Sequence, residues 1–364
     1  MRIRLLASIA AAGVAIAAVI ATPAFAENNL RGAGSSFAYK FITACAAASP
    51  DYALSYNPAG SGTGRTAFAN GSIALGASDA ASAITSGWSG SRSGYTQANW
   101  QYIPVVGGPI ALVYNVPGVS TKSLRLDAAT VAKILSGKIT KWNDNAIKAL
   151  QTSAVASKLP AKPIRVVYRS ASSGTSENLT NYLRQSVPSI WTKAKNGVIA
   201  SGNPAGRMPA GAIGAANAQA LVTNVKSTKY TFGYADFSDT VDTSGNPKVS
   251  VATLKNAKGE WIAPSSAAAA KFLEVFTEAK YFNKTTGAVT LDFTKQITGA
   301  YQASLLTYAI ADKGSSSAAS ADVEGFVTYM LNTCGPNRAA TLGYAPITGA
   351  LKTKALTMAA AIHS

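Results

Sequence analysis

Continuous apolar runs alternate along the chain with stretches in which apolar residues recur every three or four positions, and short Gly/Ser/Thr clusters separate them. Runs of the first kind read as buried strands and stretches of the second kind as amphipathic helices, so the order predicts an α/β organisation with strand-to-helix turns. The longest run, QYIPVVGGPIALVYNV over 101–116, is interrupted by Gly107-Gly108-Pro109 and reads as a strand passing from one domain to another. The segment 124–144 reads as a helix capped by Asp127, with Val131, Ile134 and Leu135 inward and Gly137 as its stop. A strand over 164–168 is followed by a helix over 175–185 with Leu179, Tyr182 and Leu183 on one face. YTFGYADF over 230–237 reads as another short strand, and 315–333 as a Ser/Ala loop leading into a helix. There is no internal repeat, and the Ala/Ser patch at 264–270 reads as a surface loop or helix end.

The first 26 residues carry a different pattern: Arg2 and Arg4, an apolar run from Leu5 to Ala21, and Ala24-Phe25-Ala26 as a small-x-small site. This is the pattern of an export signal cleaved after Ala26. No cysteine stands at that site, so no lipid anchor is expected, and no later stretch is long and apolar enough to span a bilayer. The expected mature product is soluble and exported, periplasmic or secreted. The 364 residues suit two domains, and a chain that is 48% hydrophobic and only 13% charged has the material for a large core. The formal net charge is +17, or +15 without the two arginines of the leader. The lysines are scattered and no nucleic-acid-binding signature appears, so the charge points to an anionic ligand or an acidic envelope rather than to nucleic acid. His363 is the one histidine and lies beside the C-terminus, which argues against a Ser-His-Asp triad and against a histidine-rich zinc site. No cofactor is called for. Cys45 and Cys334 are either one disulfide, as export favours, or two buried thiols; Cys45 shares an apolar stripe with Phe37 and Phe41.

Four stretches share one chemistry. GAGSSFAYKF (32–41) places Ser35-Ser36 where a helix begins, and AGSGTGRTAFANG (59–71) places Ser61 in a glycine-rich turn that opens another. LGASDAA (75–81) ends a short apolar run at Asp79, and RSASSGTS (169–176) sends Arg169 out of a strand into Ser173, Gly174 and Thr175. Helix N-termini offer free N–H groups and partial positive charge, glycine lets the backbone come close, hydroxyls donate, and arginine presents a fork suited to a tetrahedral oxyanion. Each stretch alone is an ordinary turn, and GSGTG lacks the Lys-Ser/Thr of a P-loop.

In combination and in order, GAGSSF, GSGTG, GASDA, VVGGPIALVYNVPG, LDAATVAKILSGKITKWND and RSASSGTS resemble the periplasmic phosphate-binding proteins of ABC transporters, the PstS family, from about Leu30 to Asp236 and more loosely beyond. The resemblance implies a type II periplasmic-binding-protein fold, with two mixed-sheet α/β lobes joined by a two-strand hinge. Lobe I would be 27–108 plus about 302–364 and lobe II about 109–301. It also implies a phosphate site of Ser36, the backbone of Phe37, Ser61, Asp79, Arg169, Ser173, Gly174 and Thr175, and an inner-membrane ABC permease as partner to a monomer. Both cysteines would fall in the same lobe, which supports the disulfide. Asp79 would accept the proton that phosphate carries and sulfate lacks; two acceptors face to face in a dry cleft cost several kcal/mol, or about 10³-fold in affinity. Arsenate would fit as phosphate does. Two departures stand out. Ala171 occupies the position where many members pair an aspartate with the arginine, and 203–217 lacks the family's usual Gly-Asn/Ser-Asp/Glu-Gly pattern, with Asn217 or nearby backbone as a substitute.

Phosphate capture for delivery to a permease is therefore the leading expectation, without catalysis. The alternatives are an envelope or secreted protein using the same fold for adhesion or signalling, with which Ala171 is compatible, and a secreted phosphatase, which would need a nucleophile and base or metals.

Overall fold

The computed structural model describes residues 29–191, 208–242 and 244–363. The expected leader and the part of 203–217 up to residue 207 lie outside them. The chain opens with β1 (Asn29–Gly34), α1 (Tyr39–Ala48), β2 (Ala53–Asn57), α2 (Ser61–Ala69), β3 (Leu75–Ser78) and the long β4 (Trp100–Asn115). There follow β5 (Arg125–Leu126), α3 (Ala128–Leu135), α4 (Asn145–Lys148), α5 (Ser153–Ala156), β6 (Arg165–Arg169), α6 (Gly174–Ser186), β7 (Ile213–Ala215), α7 (Ala218–Ser227) and β8 (Thr231–Asp236). The last part contains β9 (Ser250–Val251), β10 (Thr253–Lys255), β11 (Trp261–Ile262), α8 (Ser266–Leu273), β12 (Ser304–Asp312), α9 (Ala318–Tyr329), α10 (Gly335–Arg338), β13 (Ala345–Pro346) and α11 (Gly349–Ala359).

The architecture is a two-lobed mixed α/β fold whose main sheet runs in the order β2-β1-β3-β12-β4-β8-β6-β7. The outer strands pair in parallel, β2 with β1 and β1 with β3 on one side, and β8 with β6 and β6 with β7 on the other; β12 and β4 enter antiparallel between them. β4 changes partner midway. Trp100–Pro109 pairs with β12 and Ile110–Asn115 with β8. At the changeover the Ile110 N–H donates to the Ala303 carbonyl at 2.7 Å, so the start of β12 lies beside β4 where the lobes meet.

The run 101–116 is one strand passing between the lobes, as its pattern predicts, and Gly107-Gly108-Pro109 interrupts the apolar pattern without breaking the strand. A Cβ on Gly107 would stand 2.3 Å from Leu273 and 2.9 Å from the Leu305 carbonyl, and one on Gly108 would stand 2.8 Å from the Phe37 ring. The glycines therefore admit side chains and backbone from neighbouring elements while the ladder continues. The 264–270 patch differs from its surface reading: it forms most of α8, with Ala268 and Ala269 buried and the helix packed on β4, β12 and β13. Small side chains allow that close approach, which composition alone mimics with a loop.

Other local readings hold. The Asp127 side chain caps α3 by accepting the Thr130 N–H at 2.7 Å, Val131, Ile134 and Leu135 are buried, and Gly137 leaves the helix at φ +73°. Leu179, Tyr182 and Leu183 form the buried face of α6. Among the described residues no helix is long and apolar enough to cross a membrane. Cys45, buried in α1, is bonded to Cys334, also buried, at the end of the π-helical turn Met330–Cys334 that continues α9.

That bond spans 289 residues, so it removes a large loop entropy from the unfolded chain. Cys45→Ala/Cys334→Ala is expected to lose about 2–5 kcal/mol of unfolding free energy in urea titration, with wild type in reductant reproducing the loss.

Candidate anion-binding site

The four anion-type stretches converge where the carboxyl ends of β1, β3, β6 and β8 face one another across the seam between the lobes, the place where an open α/β sheet offers its ligand crevice. Ser36 and Phe37 follow β1, Ser61 opens α2, Asp79 follows β3, Arg169 ends β6, and Ser173, Gly174 and Thr175 start α6. All eight are buried.

Asp79 is the hub on one side. Its Oδ1 accepts from the hydroxyls of Ser35 and of Thr307, the latter at 2.7 Å, and its Oδ2 accepts from Ser61 Oγ at 3.2 Å. Its own N–H donates to Ser61 Oγ at 3.1 Å. Burial pushes the carboxyl above its ordinary range, while the three hydroxyls and the field of Arg169 pull it back. Across the seam Gly174 comes so close that a Cβ there would stand 2.6 Å from Asp79 Cβ and 2.7 Å from Ser61 Oγ. Asn178 Nδ2 donates to the Asp79 carbonyl at 2.6 Å and Ser82 Oγ to Glu177 Oε1 at 2.7 Å. Lys40 of α1 pairs with Asp239 at 2.7 Å and donates to the Ser238 carbonyl at 2.6 Å. The lobes are thus drawn together around the site, and beside it the seam widens into a cavity of ≈ 360 Å³ lined by residues such as Ser82, Glu177, Arg184 and Tyr308.

Arg169 is the hub on the other side. The Tyr234 hydroxyl accepts its backbone N–H at 3.1 Å and lies 2.7 Å from Ser176 Oγ. The guanidinium points into the seam: a Cβ on Gly60 would be 3.8 Å from Nη2. Nε and Nη2 are buried with no hydrogen-bond partner among the described residues. Ser173 Oγ caps α6 by accepting the Ser176 N–H at 3.3 Å, and Thr175 Oγ1 donates to Asp236 Oδ1 at 2.9 Å. The Phe37 carbonyl accepts from the Tyr344 hydroxyl at 2.6 Å, which fixes the turn that carries Ser36. Asn217 caps α7, accepting the Ala220 N–H at 2.8 Å.

The pattern-based reading does not single out Asp236, Thr307 or Asn178, nor the bond from Ser35 to Asp79. Asp236 is fully buried at the carboxyl end of β8, and its Oδ2 has no hydrogen-bond partner among the described residues. Burial, then Asp239 and Asp79, push its carboxyl well up, against Arg169 and the Thr175 hydroxyl. An acidic residue closing an apolar strand of a parallel sheet was a usable signal for it. Thr307 and Asn178 carry none, since an isolated Thr in a strand and an Asn in a helix are unremarkable locally.

The family model described as PBP superfamily domain matches residues 19–333. "Phosphate-binding protein PstS 2" of Mycobacterium tuberculosis is 41% identical over 177 residues, covering 46% of this chain and 45% of that protein. "Phosphate-binding protein PstS" of Methanocaldococcus jannaschii is 32% identical over 216 residues, covering 59% and 53%. The chain spans about half the length of the curated relatives it matches. Among solved structures, the phosphate-binding protein from Stenotrophomonas maltophilia superposes with a TM-score of 0.65 at 23% identity, covering 91% of this chain and 94% of that one, which shows the shared fold.

Two expectations follow from this geometry. Gly174→Ala must part the seam, at about 1–3 kcal/mol of closure. Small-angle scattering in phosphate buffer should then give it a larger radius of gyration than wild type. The raised carboxyls set a pH dependence. For Asp79 and Asp236 the contribution to stability is fully present below the ordinary value of 3.8 and is lost as pH rises through the raised folded value. Each unit by which Asp236 is raised is about 1.4 kcal/mol, so in anion-free buffer Asp236→Asn should lose less stability than wild type from pH 4 upward in denaturant titrations.

Proposed function

The chain belongs to the PBP superfamily, and on that premise we propose that it is an exported solute-binding protein that closes its lobes on inorganic phosphate and hands it to an ABC permease. One observation carries the reading. Two buried guanidinium donors of Arg169, the start of α6, and a carboxylate dressed with three hydroxyls all meet in one closed seam. That is a receptor for a tetrahedral anion that bears a proton. The relatives' names as phosphate-binding proteins support the choice of anion, and they are binding proteins rather than enzymes.

The ligand set in this reading is Ser36, the Phe37 backbone, Ser61, Asp79, Arg169, Ser173, Gly174 and Thr175. An ionised carboxylate offers about four lone-pair positions. Hydroxyls occupy three on Asp79, two on Oδ1 and one on Oδ2, so one position on Oδ2 is left to accept the proton of phosphate. Sulfate brings no proton and sets acceptor against acceptor. In the proposed division, lobe I is 27–108 plus about 302–364 and lobe II about 109–301. The partner change between Pro109 and Ile110 supports it, and α8 sits on the boundary, packed against both hinge strands. Closure then turns on β4 and the start of β12.

Stripped of bound anion by unfolding and refolded, the protein should give calorimetric heat with phosphate at micromolar concentrations or below and none with sulfate. Asp79→Asn should narrow the phosphate-to-sulfate preference by about 100-fold or more, since the amide can donate where the carboxylate could only repel. Silence with both anions in the wild type would overturn the reading in favour of a scaffold used for adhesion or signalling.

A further inference from the structure

The charge balance of the seam leaves one carboxyl unexplained. Asp236 is fully buried, with Oδ1 held by Thr175 and Oδ2 partnerless among the described residues. The charged and titratable groups around it come from every neighbouring element: Asp79 after β3, Arg169 at the end of β6, Asp239 in the turn after β8, and Tyr344 before β13. Lys40 of α1 is already spent on Asp239 at 2.7 Å. Among the described residues, that leaves the Arg169 guanidinium as the cation facing two carboxyls, Asp79 and Asp236, and any anion besides.

With both carboxylates ionised and a dianion bound, one arginine would face four negative charges out of water. The partial charge at the N-terminus of α6 offsets only about half of one. An unpaired buried charge of this kind is neutralised by a proton rather than tolerated. A single proton on the ligand satisfies Asp79 and leaves Asp236 Oδ2 with nothing to accept. A second proton, on Asp236 or on the ligand oxygen facing it, removes one negative charge and supplies the missing O–H donor.

Resting on the phosphate reading above, we infer that Asp236 is a second proton-reading group of the site, so that the closed complex holds two protons among Asp79, Asp236 and phosphate. The extra proton is drawn from solvent when binding occurs at a pH at which both phosphate is the monohydrogen dianion and Asp236 is ionised. The site then selects anions that are doubly protonated or that can share a proton with Asp236, and it releases its ligand more readily as pH rises.

The test is the pH dependence of phosphate affinity by calorimetry, together with wild-type titrations at about pH 8.5 in two buffers of different ionisation enthalpy. Wild-type affinity should fall toward tenfold per pH unit on the alkaline side, with uptake approaching one proton per phosphate bound. Asp236→Asn, an uncharged side chain of the same shape, should lose most of that slope. Phosphate binding by the wild type with no proton uptake and no alkaline slope overturns this inference and leaves the phosphate reading standing, whether or not the variant folds. The same slope in wild type and Asp236→Asn overturns it as well. No phosphate binding by the wild type at any pH overturns the phosphate reading and this inference with it.

Discussion

Arg169 lies at 2% exposure at the end of β6, with Asp79 and Asp236 within its field and mostly hydroxyls, amides and a helix start around them. Away from water these charges act on one another far more strongly than at a surface, and the same dryness makes any imbalance among them costly. The arrangement is tolerable because each group has part of what it needs: three hydroxyls on Asp79, one on Asp236, and an arginine whose backbone N–H is held by Tyr234. Among the described residues two donor atoms of that arginine and one carboxyl oxygen remain without a partner, and the proposed ligand is the one that would meet them.

The fold exists in this form because those groups come from opposite sides of a sheet that is shared rather than divided. β4 belongs to both lobes and changes partner between Pro109 and Ile110, so the lobes can turn about it without losing a ladder. Parallel strands on either side point their carboxyl ends at the seam, and α2 and α6 begin there. Contacts across the seam, such as those from Lys40 to Asp239, Ser82 to Glu177 and Asn178 to the Asp79 carbonyl, are polar. Such contacts hold a closed form without welding it, as reversible capture requires. The disulfide between Cys45 and Cys334, by contrast, ties the start of the first lobe to the end of the chain and leaves the seam free.

The overall positive charge fits the same logic at longer range. A chain of formal charge +17 draws anions toward itself, whereas in the proposed function the site's own carboxyls admit those that carry a proton. In that proposal attraction and selection are separated in space: the surface supplies the first, and two buried aspartates the second.

Much of this was present in the sequence because it depends on a few neighbouring residues. The capped helix at Asp127, the amphipathic face of α6, the glycine-serine turns and the arginine leaving its strand are local events, and local chemistry predicts them. The eight proposed ligands lie in such stretches, but each stretch alone is an ordinary turn, and it was the resemblance carried by their order that named them as a set. Local pattern misled where packing overrides it. Composition at 264–270 suggests a surface loop or helix end, but those alanines are small because a helix must come close there, just as Gly107-Gly108 leave space that Leu273, Leu305 and Phe37 fill. Asp236 reaches Asp79's surroundings only after the chain has crossed to the other lobe, and Thr307 only after it has crossed back, so no spacing rule links them. Which carboxyls share one arginine is decided by tertiary closure, because a charge acts through space on whatever the fold brings near it.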